Sequence, residues 1–123
     1  PAVHDSSTLR QWWEREAEQE VFSSFIMEEL SEKWTVANAK KVLGALSRAE
    51  SSIFVVQIQD LMHLSKDYYS KDPADERVNI PGTVSDFNWT WRMPVSIEEL
   101  EKNTTLKAAI LKVAQARKGT KTT

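Results

Sequence analysis

Two short blocks of this chain carry the side chains best suited to chemistry. The first is Val3-His4-Asp5-Ser6-Ser7-Thr8-Leu9-Arg10, followed at once by Gln11-Trp12-Trp13-Glu14. It sets an imidazole beside a carboxylate, both strong hydrogen-bonding groups, in the loop before a helix. The second runs Glu76-Arg77-Val78-Asn79-Ile80-Pro81-Gly82-Thr83 and then Asn88-Trp89-Thr90-Trp91-Arg92. Between them, Gln59-Asp60 closes an apolar run, and Asp60 reads either as a cap on the turn Leu61–His63 or as a ligand contact. Taken singly, each signal has an ordinary reading. A His-Asp pair before a helix is a cap with an exposed histidine. Asn-x-Pro-Gly-Thr is a turn, in which Pro fixes φ and Gly supplies a positive φ. Trp12, Trp13, Trp89 and Trp91 read as packing residues, and Glu14, Glu16, Glu18 and Glu20 as a solvated helix face.

The elements that must position these groups follow from apolar spacing. Leu9, Trp12, Trp13, Ala17, Val21, Phe22, Phe25, Ile26 and Leu30 recur at three and four residues. This predicts an amphipathic helical region over 8–30, broken near Ser23-Ser24 and capped by Ser6 or Ser7. A second helix is predicted over 36–49, capped by Thr35, with Val36, Ala39, Val42, Leu43, Leu46 and Ala49 buried. Gly44 weakens it by about 1 kcal/mol relative to Ala, which suggests a close contact there. The run Ile53-Phe54-Val55-Val56-Gln57-Ile58 lacks alternation and reads as a strand over 53–59 covered on both faces. Such a strand needs neighbours, and the chain offers only Pro1–Val3. A long loop over 60–95 follows, its aromatic content arguing for function rather than disorder. Ser96 and Glu99 form a capping box that opens a helical stretch over 96–118, in one piece or two joined near Asn103-Thr104, with Gly119 as its stop. The fold class is therefore mainly α with one short buried strand.

Composition narrows the function. The chain has 123 residues, a net charge of −2 and no cysteine. A balanced charge argues against nucleic-acid or anionic-membrane binding, and clusters such as Lys40-Lys41 read as solvated faces. Without cysteine there is neither a disulfide framework nor a thiolate metal site, which fits a cytoplasmic protein. No run approaches membrane-spanning length, and nothing at the start reads as a signal peptide. A chemical motif five residues from Pro1 leads us to expect the C-terminal segment of a longer protein.

Together the blocks resemble the 4-α-glucanotransferases (amylomaltase or disproportionating enzyme, glycoside hydrolase family 77), in the family's order and at about its spacing. The resemblance covers the chain up to about Arg92. It implies the last part of a (β/α)8 barrel: the seventh loop and helix, then the eighth strand, loop and helix, with the active site at the C-terminal ends of the strands. It also implies retaining transfer of α-1,4-linked glucosyl units from maltose or malto-oligosaccharides, without metal or organic cofactor. By resemblance, Asp5 is the family's third catalytic carboxylate, which stabilises the transition state, and His4 donates to a hydroxyl of the same glucose. Asp60, Asn79, Asn88 and Trp89 are the further substrate-binding candidates. The nucleophile and the acid/base residue belong to earlier strands, so the chain alone is expected to be inactive. Bacterial amylomaltases commonly carry Asn after His-Asp. Ser6-Ser7-Thr8 here looks more like the plant cytosolic type and its bacterial relatives, which leaves the acceptor glycan open. The expected partners are the glycan substrate and the rest of the parent barrel, with self-association through the bare strand edge. The competing reading is a non-catalytic helical module that binds a protein or glycan partner.

Overall fold

Local cap chemistry sets most of the helix boundaries. The computed structural model describes residues 6–49 and 54–120. The first helix, α1 (Leu9–Arg15), starts where the Thr8 hydroxyl accepts the Gln11 N–H. Thr8 takes the capping role expected of Ser6 or Ser7, because the helix begins one residue later. Ser7 instead donates to the Glu16 carboxylate at 2.6 Å.

The predicted 8–30 region is interrupted at a different place from the one its serines suggest. The N–H groups of Glu16 and Ala17 both turn back to the Trp12 carbonyl, which ends α1. The Gln19 side chain then bridges the carbonyls of Trp13 and Glu32, at 2.9 Å each. Helix α2 (Gln19–Ile26) runs through Ser23-Ser24 and ends at Met27, whose φ of 58° is left-handed.

Helix α3 (Val36–Ser47) is opened by Thr35, which accepts from the Asn38 N–H. Ala39, Val42 and Leu43 are buried, whereas Ala49 lies beyond the helix and is exposed. Asn38 is also buried and ties the preceding loop down through Ser31 and Lys33. The core joins α3 to α6 (Thr104–Thr120): Leu43, Val42 and Ala39 pack with Leu106, Ala109 and Val113, and with Trp13, Trp34 and Leu64. The Ser47 hydroxyl donates to the Val113 carbonyl at 2.6 Å across this pair. Trp12, Trp13, Phe22 and Trp34 form one aromatic cluster, so both indoles of the first block are packing residues.

Among the described residues there is no strand. Residues 50–53 lie outside the description, as does the Pro1–Val3 piece. Residues 54–57 carry no regular structure, and Ile58 and Gln59, expected to finish the strand, instead begin α4 (Ile58–Met62). The physical reason is the one that makes isolated strands rare. A strand is stable only when its backbone groups find ladder partners, and no neighbouring strand is described. Val55 stays 58% exposed, so burial on both faces does not occur in this chain.

The predicted 60–95 loop is partly ordered. It contains the rest of α4 and 3-10 turns at Lys66–Tyr68 and Pro73–Glu76, the latter capped by Asp72 through the Ala74 N–H. The 96–118 stretch is two helices. Ser96 accepts from the Glu99 N–H to open α5 (Ile97–Glu101), and Asn103 accepts from the Leu106 N–H at the start of α6. Helix α6 continues past Gly119, so the glycine is not its stop. No helix among the described residues is long and apolar enough to cross a membrane.

Candidate functional site

A buried polar network joins the two sequence blocks. Its centre is Glu76, only 2% exposed at the end of the second 3-10 turn. One carboxylate oxygen accepts from Arg10 Nη1 at 3.0 Å. The other meets His63 Nε2 at 2.8 Å and accepts the Ser70 N–H at 3.1 Å. The Glu76 carbonyl takes the side-chain amide of Gln59 at 3.0 Å. Arg10 also donates to the Ser70 carbonyl at 2.7 Å and lies over the Tyr69 ring. That ring faces His63 at 4.6 Å, and its hydroxyl donates to the His63 carbonyl. Burial alone pushes the Glu76 carboxyl upward. The His63 hydrogen bond and charge, the Ser70 N–H and the Arg10 guanidinium outweigh it and hold the group below its ordinary value.

Asp60 occupies the first turn of α4, also buried, and its Oδ1 accepts the Leu9 N–H at 2.8 Å. It therefore holds the open end of α1, fifty-one residues away, rather than capping its own turn. Burial pushes its carboxyl up to about 6, against the lowering effect of the Leu9 N–H. Gln57 adds a second link by donating to the Ser7 carbonyl at 3.3 Å. Glu14 departs from the solvated face expected of it, because its carboxylate accepts the Trp34 N–H at 2.8 Å. Glu16, Glu18 and Glu20 are exposed.

The second block forms a loop organised by Asn88. The Asn88 amide accepts the Ile80 N–H at 3.2 Å and donates to the Thr83 carbonyl and hydroxyl at 3.1 Å each. Gly82 has a φ of 78°, the positive angle that the Pro-Gly turn requires. Trp89 also adopts a left-handed φ, 68°, and its N–H reaches the Val78 carbonyl at 2.7 Å. An indole held at such an angle yet 62% exposed is a strained position of the kind found at binding loops. The Asn79 carbonyl accepts from Arg77 Nε at 3.3 Å. The far end of the loop returns to the network: Trp91 and Arg92 line a small cavity of about 100 Å³ together with His63, Tyr69 and Glu76.

Of the residues singled out in the sequence, His4 and Asp5 lie outside the described residues. Asp60, in α4, holds the first N–H of α1, and Asn79, Asn88 and Trp89 share the second-block loop. The hub formed by Arg10, His63 and Glu76 is not legible as a unit in the sequence. Arg10 and Glu76 stand inside the quoted blocks, but nothing in their spacing pairs them across 66 residues. Among the described residues no group of three or more acidic or histidine side chains is placed to hold a metal ion.

Comparison with known proteins bears on the same two blocks. The model of glycoside hydrolase family 77, described as 4-alpha-glucanotransferase, matches residues 1–98. The 4-alpha-glucanotransferase of Chlamydia trachomatis serovar D is 39% identical over 111 residues, covering 89% of this chain and 21% of that protein. The Chlamydia pneumoniae 4-alpha-glucanotransferase is 37% identical over 103 residues, covering 80% of this chain and 19% of the relative. The rice 4-alpha-glucanotransferase DPE2 is 26% identical over 114 residues, covering 89% of this chain and 12% of the rice protein. The chain thus spans about a fifth or less of the length of these relatives. No solved structure matches it significantly. A family match that runs unbroken through the His4-Asp5 block, the Asp60 turn and the Asn79–Arg92 loop places this chain in the 4-alpha-glucanotransferase family, glycoside hydrolase family 77.

Proposed function

We propose that this chain is the closing part of the catalytic (β/α)8 barrel of a cytoplasmic 4-α-glucanotransferase. The complete protein would move α-1,4-linked glucosyl or glucan units from maltose or malto-oligosaccharides to a glycan or glucose acceptor by retaining double displacement. The observation that carries this reading is the family match over residues 1–98, which contains both blocks. In such a reaction one carboxylate attacks the anomeric carbon, while a second carboxyl group protonates the leaving oxygen and then deprotonates the acceptor hydroxyl. Asp5 supplies neither step. Its role is to accept hydrogen bonds from sugar hydroxyls that shorten as the ring flattens, so that its grip tightens in the transition state and lowers the barrier. His4 donates to a hydroxyl of the same glucose. Asn79 and the exposed Trp89 line the donor side, and Asn88 shapes their loop from within. Asp60, already engaged by the Leu9 N–H, supports the start of α1.

The remainder of the barrel would cover what the chain leaves bare. A cleft of about 530 Å³ runs beside residues 54–57 and is lined by Leu9, Trp12, Phe22, Leu43 and Leu46. Val55, 58% exposed, also lines it. Backbone without ladder partners beside an apolar cleft suits adjacent barrel strands, and in their absence it favours self-association of the isolated chain.

The test is Asp5→Asn in the full-length protein, assayed by glucose release and chain lengthening from maltose, with and without glycogen. We expect kcat to fall roughly a hundredfold or more with KM little changed. Transfer that survives the substitution at near-normal rate would remove Asp5 from the mechanism.

A further inference from the structure

We infer that Glu76 is a positioning residue for the transfer reaction: it locks the Asn79–Arg92 loop and the start of α1 into one register. The inference rests on the reaction proposed above. Its basis is the number of separate segments that converge on one carboxylate. Arg10 reaches Glu76 from α1, His63 from the end of α4, and the Ser70 N–H from the stretch between the two 3-10 turns. Gln59, the neighbour of Asp60, holds the Glu76 carbonyl. The loop leaves the network at Arg77, and its other foot, Trp91-Arg92, returns to line the cavity beside Glu76 and His63. One foot of the loop thus leaves directly from the buried Glu76, and the other lines the cavity that Glu76 and His63 also line.

The same side chain reaches the first block. Arg10 is the second residue of α1, and Asp60 grips the N–H of Leu9, the first. Asp5 stands four residues before Leu9 in the sequence. A buried ion pair is a poor source of stability compared with apolar packing of the same volume, because both charges lose their water. What it does supply is a fixed geometry: the Arg10 and His63 donors accept only a carboxylate at one place. Misplacing a binding wall by about 1 Å can cost on the order of a hundredfold in rate.

The experiment uses the full-length protein and compares Glu76→Gln, Glu76→Asp, Arg10→Gln and the double variant Arg10→Gln/Glu76→Gln, with Asp5→Asn as reference. Glutamine is nearly isosteric but carries no charge to pair with Arg10, and one of the two accepting oxygens becomes an N–H₂ donor. Aspartate keeps the charge but withdraws it by one methylene. We expect kcat to fall tenfold to a hundredfold in Glu76→Gln and about tenfold in Glu76→Asp, with KM changed less than threefold and the enzyme folded by circular dichroism. The double variant should lose no more kcat than the worse single one, since both changes break the same link. If Asp5→Asn abolishes transfer while both Glu76 variants fold and keep wild-type kcat, Glu76 is merely structural and the inference is overturned. Additive losses in the double variant would overturn it equally. If Asp5→Asn leaves transfer intact, it is the reaction assignment that fails, whatever the Glu76 variants do.

Discussion

Asp60 should make this chain less stable as the pH rises from 5 to 7.5, and Asp60→Asn should remove the effect. Asp60 is 5% exposed, and burial raises its carboxyl from 3.8 to about 6, even though the Leu9 N–H and the His63 charge pull the other way. Between those two values the folded chain keeps a proton that the unfolded chain has released. Stability therefore falls as pH rises through the window, and the full cost of the buried charge is present above the folded value. At about 1.4 kcal/mol per pH unit, that cost approaches 3 kcal/mol at pH 7.5, of which about 1.5 kcal/mol develops between pH 5 and 7.5. Glu76 acts in the opposite sense. Its carboxyl is held below the ordinary 4.5, so its contribution is complete above that value and is lost as pH falls through the folded one. Keeping the measurement above pH 5 separates the two. Asn at position 60 retains an oxygen for the Leu9 N–H and carries no charge, while its new N–H₂ group, if unsatisfied, costs about 1–2 kcal/mol. We expect a net stabilisation of about 1–2 kcal/mol at pH 7.5 in equilibrium urea unfolding of the 123-residue chain. The difference between the two proteins should shrink toward pH 5. A pH-independent difference, or a variant less stable than wild type at pH 7.5, would refute the reasoning.

Three further substitutions probe the scaffold by the same unfolding assay. Trp13→Ala removes a fully buried indole that packs on Phe22 and Trp34 and donates to the Ser31 carbonyl at 2.8 Å. It should cost about 3–5 kcal/mol, and a loss under 1 kcal/mol would mean that the aromatic cluster is not the core. Thr8→Ala deletes the cap of α1 and should cost about 1 kcal/mol, whereas Ser6→Ala should be nearly neutral; the reverse order would restore a cap upstream of Thr8. Ser47→Ala breaks the hydroxyl link to the Val113 carbonyl across the α3–α6 interface and should cost about 1 kcal/mol.

What the sequence makes legible is what local physics decides. Thr35 before the Val36–Ser47 helix, and Ser96 before Ile97–Glu101, are caps whose partners stand three residues away, so side-chain type and spacing suffice to find them. The same rule applied to Ser6, Ser7 and the Ser23-Ser24 pair fails for tertiary reasons. The break between α1 and α2 is held by Gln19 reaching the carbonyls of Trp13 and Glu32, and a serine pair inside a helix costs too little to compete with that. The apolar run at 53–59 has the composition of a buried strand, but composition specifies only a tendency. Whether it pairs depends on chain segments that must arrive from elsewhere.

The site divides along the same line. The Asn79–Thr83 turn and the Asn88–Arg92 stretch are recognisable because their chemistry is local: Pro-Gly geometry, and an asparagine whose amide closes a loop eight residues back at Ile80. Arg10, His63 and Glu76 are individually unremarkable charged or polar residues. By frequency such side chains are solvated, and Glu14, which accepts the Trp34 N–H, departs from that expectation in the same way. Their meaning comes from convergence over separations of 66 and 13 residues, and no periodicity encodes that. Conversely, the exposure of Trp89 at a left-handed φ is invisible in its type, since a tryptophan is by default a packing residue. The strain is affordable because the Val78 carbonyl and the Asn88 bonds over-determine the loop around it. An exposed indole on a strained loop, one end leaving a buried carboxylate and the other lining the same cavity, is therefore found by geometry and not by residue type.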